Sequence, residues 1–196
     1  MAVSRLSQST LQNAFSKYNN VWDGYSAVGS FEAIGTVTLA ASQSSITFSN
    51  IPQTYSHLQI RSNLAINASD NIQMRINGDS ASNYSWHYVF GNGNATSASN
   101  GTSATRIVGT YALTATNVFA GVIWDILDYT NTSKYKTTRL LTGIDTNGSG
   151  NAGLYSGLWF KAGSGVTSDA ITSLSLSVYS GGTFNANSSF SLYGVK

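Results

Sequence analysis

The sequence predicts an all-β protein: an antiparallel β-sandwich, jelly-roll-like, with a short N-terminal arm that contains a helix. The first observation is a strict two-residue alternation, in which Leu174, Leu176 and Val178 alternate with serines. This period places apolar side chains on one face of a sheet and polar ones on the other. The second observation is that roughly ten such runs recur about a dozen residues apart, which is typical of sandwiches and barrels.

The runs give the following predicted strands, in chain order: Ala33–Ala41, Ser45–Phe48, His57–Ile66, Ile72–Ile76, Tyr84–Phe90, Thr105–Ala112, Val118–Tyr129, Lys134–Gly143, Leu154–Lys161, Ile171–Tyr179 and Ser189–Val195. Turn chemistry separates them at Asn77–Asp79, Gly91–Gly93, Asn147–Gly148 and Gly163–Gly165. Pro52 lies between two strands, where its missing N–H is harmless. The segment Gly91–Ser103 contains almost only Gly, Asn, Ser, Ala and Thr, and it is expected to form an exposed loop.

Residues 1–30 differ from the sandwich predicted over residues 31–196. Apolar side chains recur there at helical spacing, and Ser4 or Ser7 is suited to cap the N-terminus of a short helix. Two interpretations remain open for this segment. It packs as a terminal helix on its own domain, or it is an arm that grips a neighbouring subunit.

Composition excludes several classes of function. Charged residues make up only 9% of the 196 residues and the net charge is +2, which is too little for an electrostatic nucleic-acid footprint. No apolar run approaches the length of a membrane span, and the N-terminal residues lack the apolar core of a secretory signal. The chain has no cysteine, so disulfides and thiolate metal sites are excluded.

Side chains with catalytic or metal-binding chemistry are few, so the sequence predicts a non-enzymatic protein without metal or cofactor. His57 and His87 lack zinc spacing. Asp125 and Asp128 are three apart on a predicted strand and would face opposite sides, so they do not form a catalytic pair. One of them is instead expected to pair with a cation on the next strand. The cations in question are Lys134, Lys136 and Arg139.

Aromatic side chains are the remaining signal. Trp86 shares a predicted strand face with Tyr88, and Trp159 follows Tyr155 on another strand. Such groups suit either a sugar-stacking platform or a core or subunit interface, and the second interpretation has the greater weight. Under the first, Trp86, Tyr88 and Trp159 would bind glycan.

Four stretches of the chain carry a family resemblance: Ser4–Leu11, Ile46–Arg61, Arg75–His87 and Ser188–Lys196. In these stretches the sequence resembles virion structural proteins of tailed bacteriophages, particularly cyanophages. The family includes capsid cement (decoration) proteins and tail-fibre-associated proteins. The resemblance therefore implies a virion protein made in the host cytoplasm.

A short arm followed by one sandwich favours a capsid cement protein over a fibre. This implies a homotrimer on the capsid surface, with the major capsid protein as partner and the arm bridging capsomers. The residues expected to contact the shell are Arg5, Leu6, Leu11, Phe15, Tyr18 and Trp22. The alternative is a tail fibre or minor tail protein whose sandwich binds host glycan, with the loop Gly91–Ser103 contributing.

Overall fold

The computed structural model describes residues 30–112, 117–161 and 167–196. Strands account for most of these residues, and no helix occurs among them. The strands are β1 (Phe31–Thr38), β2 (Ser45–Phe48), β3 (His57–Leu64), β4 (Asp70–Ile76), β5 (Tyr84–Gly91), β6 (Thr96–Ala104), β7 (Ile107–Ala112), β8 (Ala120–Ile126), β9 (Lys136–Asp145), β10 (Gly150–Trp159), β11 (Leu174–Val178) and β12 (Ser189–Val195). The predicted helix of the arm lies outside the described residues.

The strands form two antiparallel sheets that pack face to face. The larger sheet has the order β1-β12-β3-β8-β9-β10-β5-β6, and the smaller has the order β2-β11-β4-β7. The hairpins β5–β6 and β9–β10 extend the larger sheet beyond β8. Without these four strands, the other eight, renumbered in chain order, run 1-8-3-6 and 2-7-4-5, which is the jelly-roll order. The predicted fold class is therefore confirmed.

The core lies between the two sheets, and the alternation seen in the sequence fills it. In β9, every second residue from Lys136 to Ile144 is buried and the residues between them are exposed. In β11, Leu174, Leu176 and Val178 point inward as predicted. Each large apolar side chain contributes about 1.5–3 kcal/mol when buried. The largest fully buried apolar and aromatic ones include Trp124, Trp159, Tyr84, Tyr129, Phe184 and Phe190.

One predicted loop is wrong. Most of Gly91–Ser103 belongs to strand β6, which pairs antiparallel with β5 at an edge of the larger sheet. Only the connection between these strands is a turn, in which the Asn92 N–H donates to the Ala95 carbonyl at 3.1 Å. An edge strand has one neighbour and needs no apolar face of its own, because the backbone ladder with β5 holds it.

Two predicted turns form, and one of them closes a hairpin. Asn77 and Gly78 both have positive φ (52° and 66°), and the Asp79 N–H donates to the Ile76 carbonyl at 2.9 Å. This is a type I′ turn, and it leads the chain from β4 of the smaller sheet towards β5 of the larger one. The turn Asn147–Gly148 joins β9 to β10. The predicted turn at Gly163–Gly165 lies outside the described residues.

Asp79 joins this turn to the body of the sandwich. Its carboxylate is buried and accepts hydrogen bonds from Trp159 Nε1 at 2.8 Å, Asn83 Nδ2 at 2.9 Å and the Ala81 N–H at 3.0 Å. Burial works to raise the pKa of Asp79, but the donated hydrogen bonds outweigh it and the pKa lies below its usual range. The ionised carboxylate therefore stabilises the fold.

Removing this carboxylate should destabilise the protein in a pH-dependent way. Asp79→Ala should cost about 2 kcal/mol at neutral pH, because the buried Trp159 Nε1 and two part-buried donors lose a charged acceptor. Since the folded pKa is lowered, the contribution is complete above about pH 4 and is lost as the pH falls through the folded value. Urea unfolding between pH 7 and pH 2 should show wild type and variant converging in acid.

The matched control is Glu32→Ala, which removes an exposed carboxylate that pairs with Lys196 at 3.3 Å. Surface pairs of this kind contribute little, so its unfolding curve should stay close to that of the wild type. If Asp79→Ala is as stable as Glu32→Ala at neutral pH, the role assigned to Asp79 is wrong.

Candidate functional site

The shell-contact residues expected in the arm lie outside the described residues. They are Arg5, Leu6, Leu11, Phe15, Tyr18 and Trp22. The described chain begins at Ser30, directly before β1 at the edge of the larger sheet. The arm is therefore joined to this edge strand, and the prediction for its contacts stays a prediction.

Trp159 cannot stack on a glycan, because it is not accessible from the surface of the sandwich. Its side chain is 0% exposed, and its Nε1 donates to Asp79 inside the sandwich. This corrects the glycan-binding hypothesis for that residue. Alternation within β10 carries no information on how deeply the opposite sheet covers this residue.

Trp86 and Tyr88 form a stacked pair on the inner face of β5. Their ring centroids lie 5.7 Å apart and the planes differ by 2°, and Tyr88 also contacts Tyr155 at 5.1 Å. Both residues are half-buried. Strand β7, at the edge of the smaller sheet, packs across β9, β10 and β5, so the pair lies at the margin of this cover.

Strand β6 places small residues beside this aromatic pair. Tyr88 is opposite Ser99, and Trp86 is opposite Gly101. A Cβ atom on Gly101 would lie 2.5 Å from the Trp86 ring, so the indole rests directly on the glycine backbone. The stacked pair and the neighbouring hydroxyls form a flat, partly accessible surface that is chemically suited to a sugar ring.

Two carboxylates are engaged in ion pairs, Asp125 on the outer face of β8 and Asp128 in the connection between β8 and β9. Asp125 accepts from Arg139 at 2.8 Å, and Asp128 accepts from Lys134 at 3.1 Å. The Asp125–Arg139 contact confirms the expected cross-strand ion pair, whereas Asp128 lies beyond the end of β8 and not on the strand predicted for it. Asp125 also accepts from Gln59 at 2.7 Å. These contacts hold both carboxylates as structural acceptors.

Lys136 has a different role from the one considered in the sequence. It is fully buried, and its Nζ donates to the carbonyls of Asn131 and Lys134. Burial lowers the pKa of the Lys136 ammonium, and nearby carboxylates only partly oppose this shift. The lysine thus fixes the connection between β8 and β9 from the inside.

Neither histidine takes part in a metal cluster. His57 Nδ1 accepts from the Asp128 N–H at 2.9 Å, and His87 is exposed on β5. Among the described residues, no group of three or more potential metal ligands occurs. Within that same part of the chain, no helix is long and apolar enough to cross a membrane.

Four exposed aliphatic side chains form a row across the outer face of the larger sheet, which we call the aliphatic ridge. The register pairs Ile123 with Leu141, Leu141 with Leu154, and Leu154 with Val89. Their exposed fractions are 41%, 59%, 49% and 49% in the order Ile123, Leu141, Leu154, Val89. This surface was not predicted from the sequence, because it depends on the register of β8, β9 and β10 with one another and with the distant β5.

A row of small residues runs beside the ridge, two positions along each of the same strands. We call it the glycine trough, and its members are Gly121, Gly143, Ala152 and Gly91. Ile123, Leu141 and the first two members of the trough line one open depression in the sheet surface. Ridge and trough are therefore adjacent on the outer face of the larger sheet.

In comparisons with known proteins, no protein-family model, no curated protein and no solved structure matches this chain.

The fit between Trp86 and Gly101 can be tested by adding one methyl group. Gly101→Ala should destabilise the protein by about 1–3 kcal/mol and alter tryptophan fluorescence, because the new Cβ displaces the indole. Gly35→Ala is the control, since a Cβ there would lie 4.0 Å from its nearest neighbour, Phe48. Thermal unfolding followed by fluorescence gives both readouts. Equal melting temperatures for the two variants would contradict the close packing described.

Proposed function

We propose that this chain is a non-enzymatic structural protein of a tailed-phage virion, a cement protein on the capsid surface. The observation that carries the proposal is the outer face of the larger sheet, whose aliphatic ridge is exposed in the isolated chain. Contiguous apolar surface of this kind marks a site of association. The resemblance of Ser4–Leu11 and the other three stretches to phage virion proteins supplies the identity of the assembly.

The chemistry of the described residues supports a structural role. Asp125 on β8 and Asp128 in the β8–β9 connection are both held in ion pairs. The buried Asp79 and Lys136 are occupied by structural hydrogen bonds. A rigid body of this type performs its function by being held in place by its neighbours.

In this proposal the partners are other copies of the chain, as a homotrimer, and the major capsid protein. The arm reaches along the shell, with Arg5 paired to an acidic capsid group and the apolar residues of the arm as anchors. Apolar burial contributes about 25 cal/mol per Å², so a modest contact repeated over a shell is sufficient to reinforce it. The start of β1 at an edge of the larger sheet leaves the arm able to extend away from the body.

Deleting residues 1–22 tests the role of the arm. The truncated chain should remain folded, because the core lies within the residues from Leu39 onward, but it should no longer bind heads. Sedimentation with purified heads that lack the protein measures occupancy, and circular dichroism checks the fold.

The control variant is full-length Asn94→Ala in the exposed β5–β6 turn, which should bind heads normally. If the truncated chain decorates heads at full occupancy, the arm does not hold the protein on the shell.

A second function is favoured by one specific observation, the stacked Trp86–Tyr88 pair at the margin of the smaller sheet. In this alternative the chain belongs to a tail fibre or a minor tail protein, and the pair stacks on a sugar ring of a host glycan. The serine hydroxyls of β6 would then supply the polar contacts.

Glycan binding should depend on the accessible tryptophan. If the alternative is correct, the wild-type chain binds members of a broad glycan array and Trp86→Ala abolishes that binding. Tyr135→Ala removes an exposed aromatic side chain elsewhere on the surface and serves as the control. If the wild-type chain binds no glycan on the array but does bind heads, this alternative is excluded.

A further inference from the structure

The glycines of the trough are not explained by the packing of their own subunit. A Cβ on Gly121 would have only the Gly143 carbonyl within reach, at 4.0 Å, and one on Gly143 only the Asn151 carbonyl, at 3.9 Å. Neither residue has the positive φ that would require glycine. By contrast, a Cβ on Gly157 of β10 would lie 2.5 Å from the Ile107 side chain.

Glycine inside a strand lowers stability relative to alanine, and it often marks a place where another chain or ligand approaches closely. Gly121 and Gly143 are paired directly across β8 and β9, so the two gaps merge into one. Nothing in the described chain fills this gap. The adjacent ridge has the complementary shape, because it presents large side chains where the trough has none.

Ridge and trough lie on the same four strands and are offset by two residues, or about 6.6 Å along each strand. Consider a twofold axis that is parallel to the two rows and lies above the sheet surface, midway between ridge and trough. It places a second copy face to face with the first, with the ridge of one copy over the trough of the other. Leu141 then lies over Gly143 of the second copy, and Leu154 over Ala152. Alternation of large and small residues across facing sheets is the usual way in which β-sandwich layers pack.

The charges flanking the two rows agree with the same axis. On β9, Arg139 is one row beyond the ridge, and Asp145 is one row beyond the trough. The axis therefore brings Asp145 over Arg139 of the second copy, twice by symmetry. Arg139 also pairs with Asp125 of its own subunit at 2.8 Å, so each guanidinium would lie between two carboxylates. The rim of the contact is then charged while its centre is aliphatic, which is the usual distribution in a protein interface.

The face is also large enough for a stable contact. Eight strands spaced about 4.8 Å apart and about seven residues long cover roughly 900 Å². A standard interface buries about 800 Å² on each partner. Full overlap of the face would therefore reach the size that a stable dimer needs.

We infer that the outer face of the larger sheet is a twofold interface between two copies of this chain, in which the aliphatic ridge of each copy fills the glycine trough of the other. The inference stands on this geometry and does not depend on the proposed function. If the chain also forms the homotrimer proposed above, the face joins trimers to one another.

Two variants test the interface. They are chosen to have opposite effects on nonspecific apolar association. Leu141→Asp places a charge on the ridge, at a residue that is 59% exposed. Gly143→Leu adds apolar surface but fills the trough. Both should weaken self-association at least tenfold in a concentration series of the full chain followed by sedimentation velocity. Thr137→Asp, exposed on the same strand beyond Arg139, should associate like the wild type.

The outcomes distinguish a specific twofold interface from nonspecific adhesion and from binding to a capsid partner. Gly143→Leu is decisive, because nonspecific apolar adhesion would be strengthened by added surface, whereas insertion of the ridge would be blocked. A Gly143→Leu chain that associates as tightly as the wild type overturns the inference. So does a wild type that stays monomeric or trimeric over the whole series. If head binding then falls in both variants, the face belongs to a capsid partner. Circular dichroism confirms that each variant is folded.

Discussion

The structure depends on one geometric constraint, which is that a sheet of eight strands is covered by a sheet of four. The jelly-roll core satisfies it with aliphatic and aromatic side chains between matched strands. Beyond β8 the larger sheet continues, and a single edge strand, β7, packs across β9, β10 and β5. Bulky rings occupy this margin, where Trp86, Tyr88 and Tyr155 lie against one another. The part of the larger sheet that extends beyond β8 carries the aromatic pair on its inner face and part of the aliphatic ridge on its outer face. Both surfaces follow from this difference in width between the two sheets.

Much of the fold could be predicted because the decisive signal is local. A strand with one buried face repeats every two residues, and β9 and β11 show this in their own sequence. Strand β6 could not be predicted in this way, because Thr96–Ala104 has no apolar alternation and its pairing comes from β5. Its role as a support for the Trp86 ring lies in Gly101, and a lone glycine in a sequence cannot report what rests on it.

The candidate site was less predictable, since it depends on contacts between distant segments. Strand alternation placed Trp86 and Tyr88 on one face of a strand, but only the packing of the smaller sheet decides which aromatic side chains are covered. In the sequence, Leu140–Leu141 is simply an apolar pair, and the register with Leu154 and Ile123 is needed to recognise a surface row. Asp79 was assigned to a turn. Two of its three donors, Ala81 and Asn83, are close to it in sequence, but the third, Trp159, comes from a distant strand and no local pattern indicates it.

The seam between β10 and β5 has a consequence for how the molecule is made. The hairpins β5–β6 and β9–β10 are inserted at separate points of the chain, yet they become neighbours in one sheet. Pairing across this seam closes a loop that contains β6, β7, β8 and β9, so its entropic cost is incurred before the new contacts form. We expect the eight jelly-roll strands to assemble first and the two hairpins to zip together late. During synthesis, β5 would then wait with an open edge until β10 has been translated, and the hydroxyl-rich β6 on its other side protects only one flank.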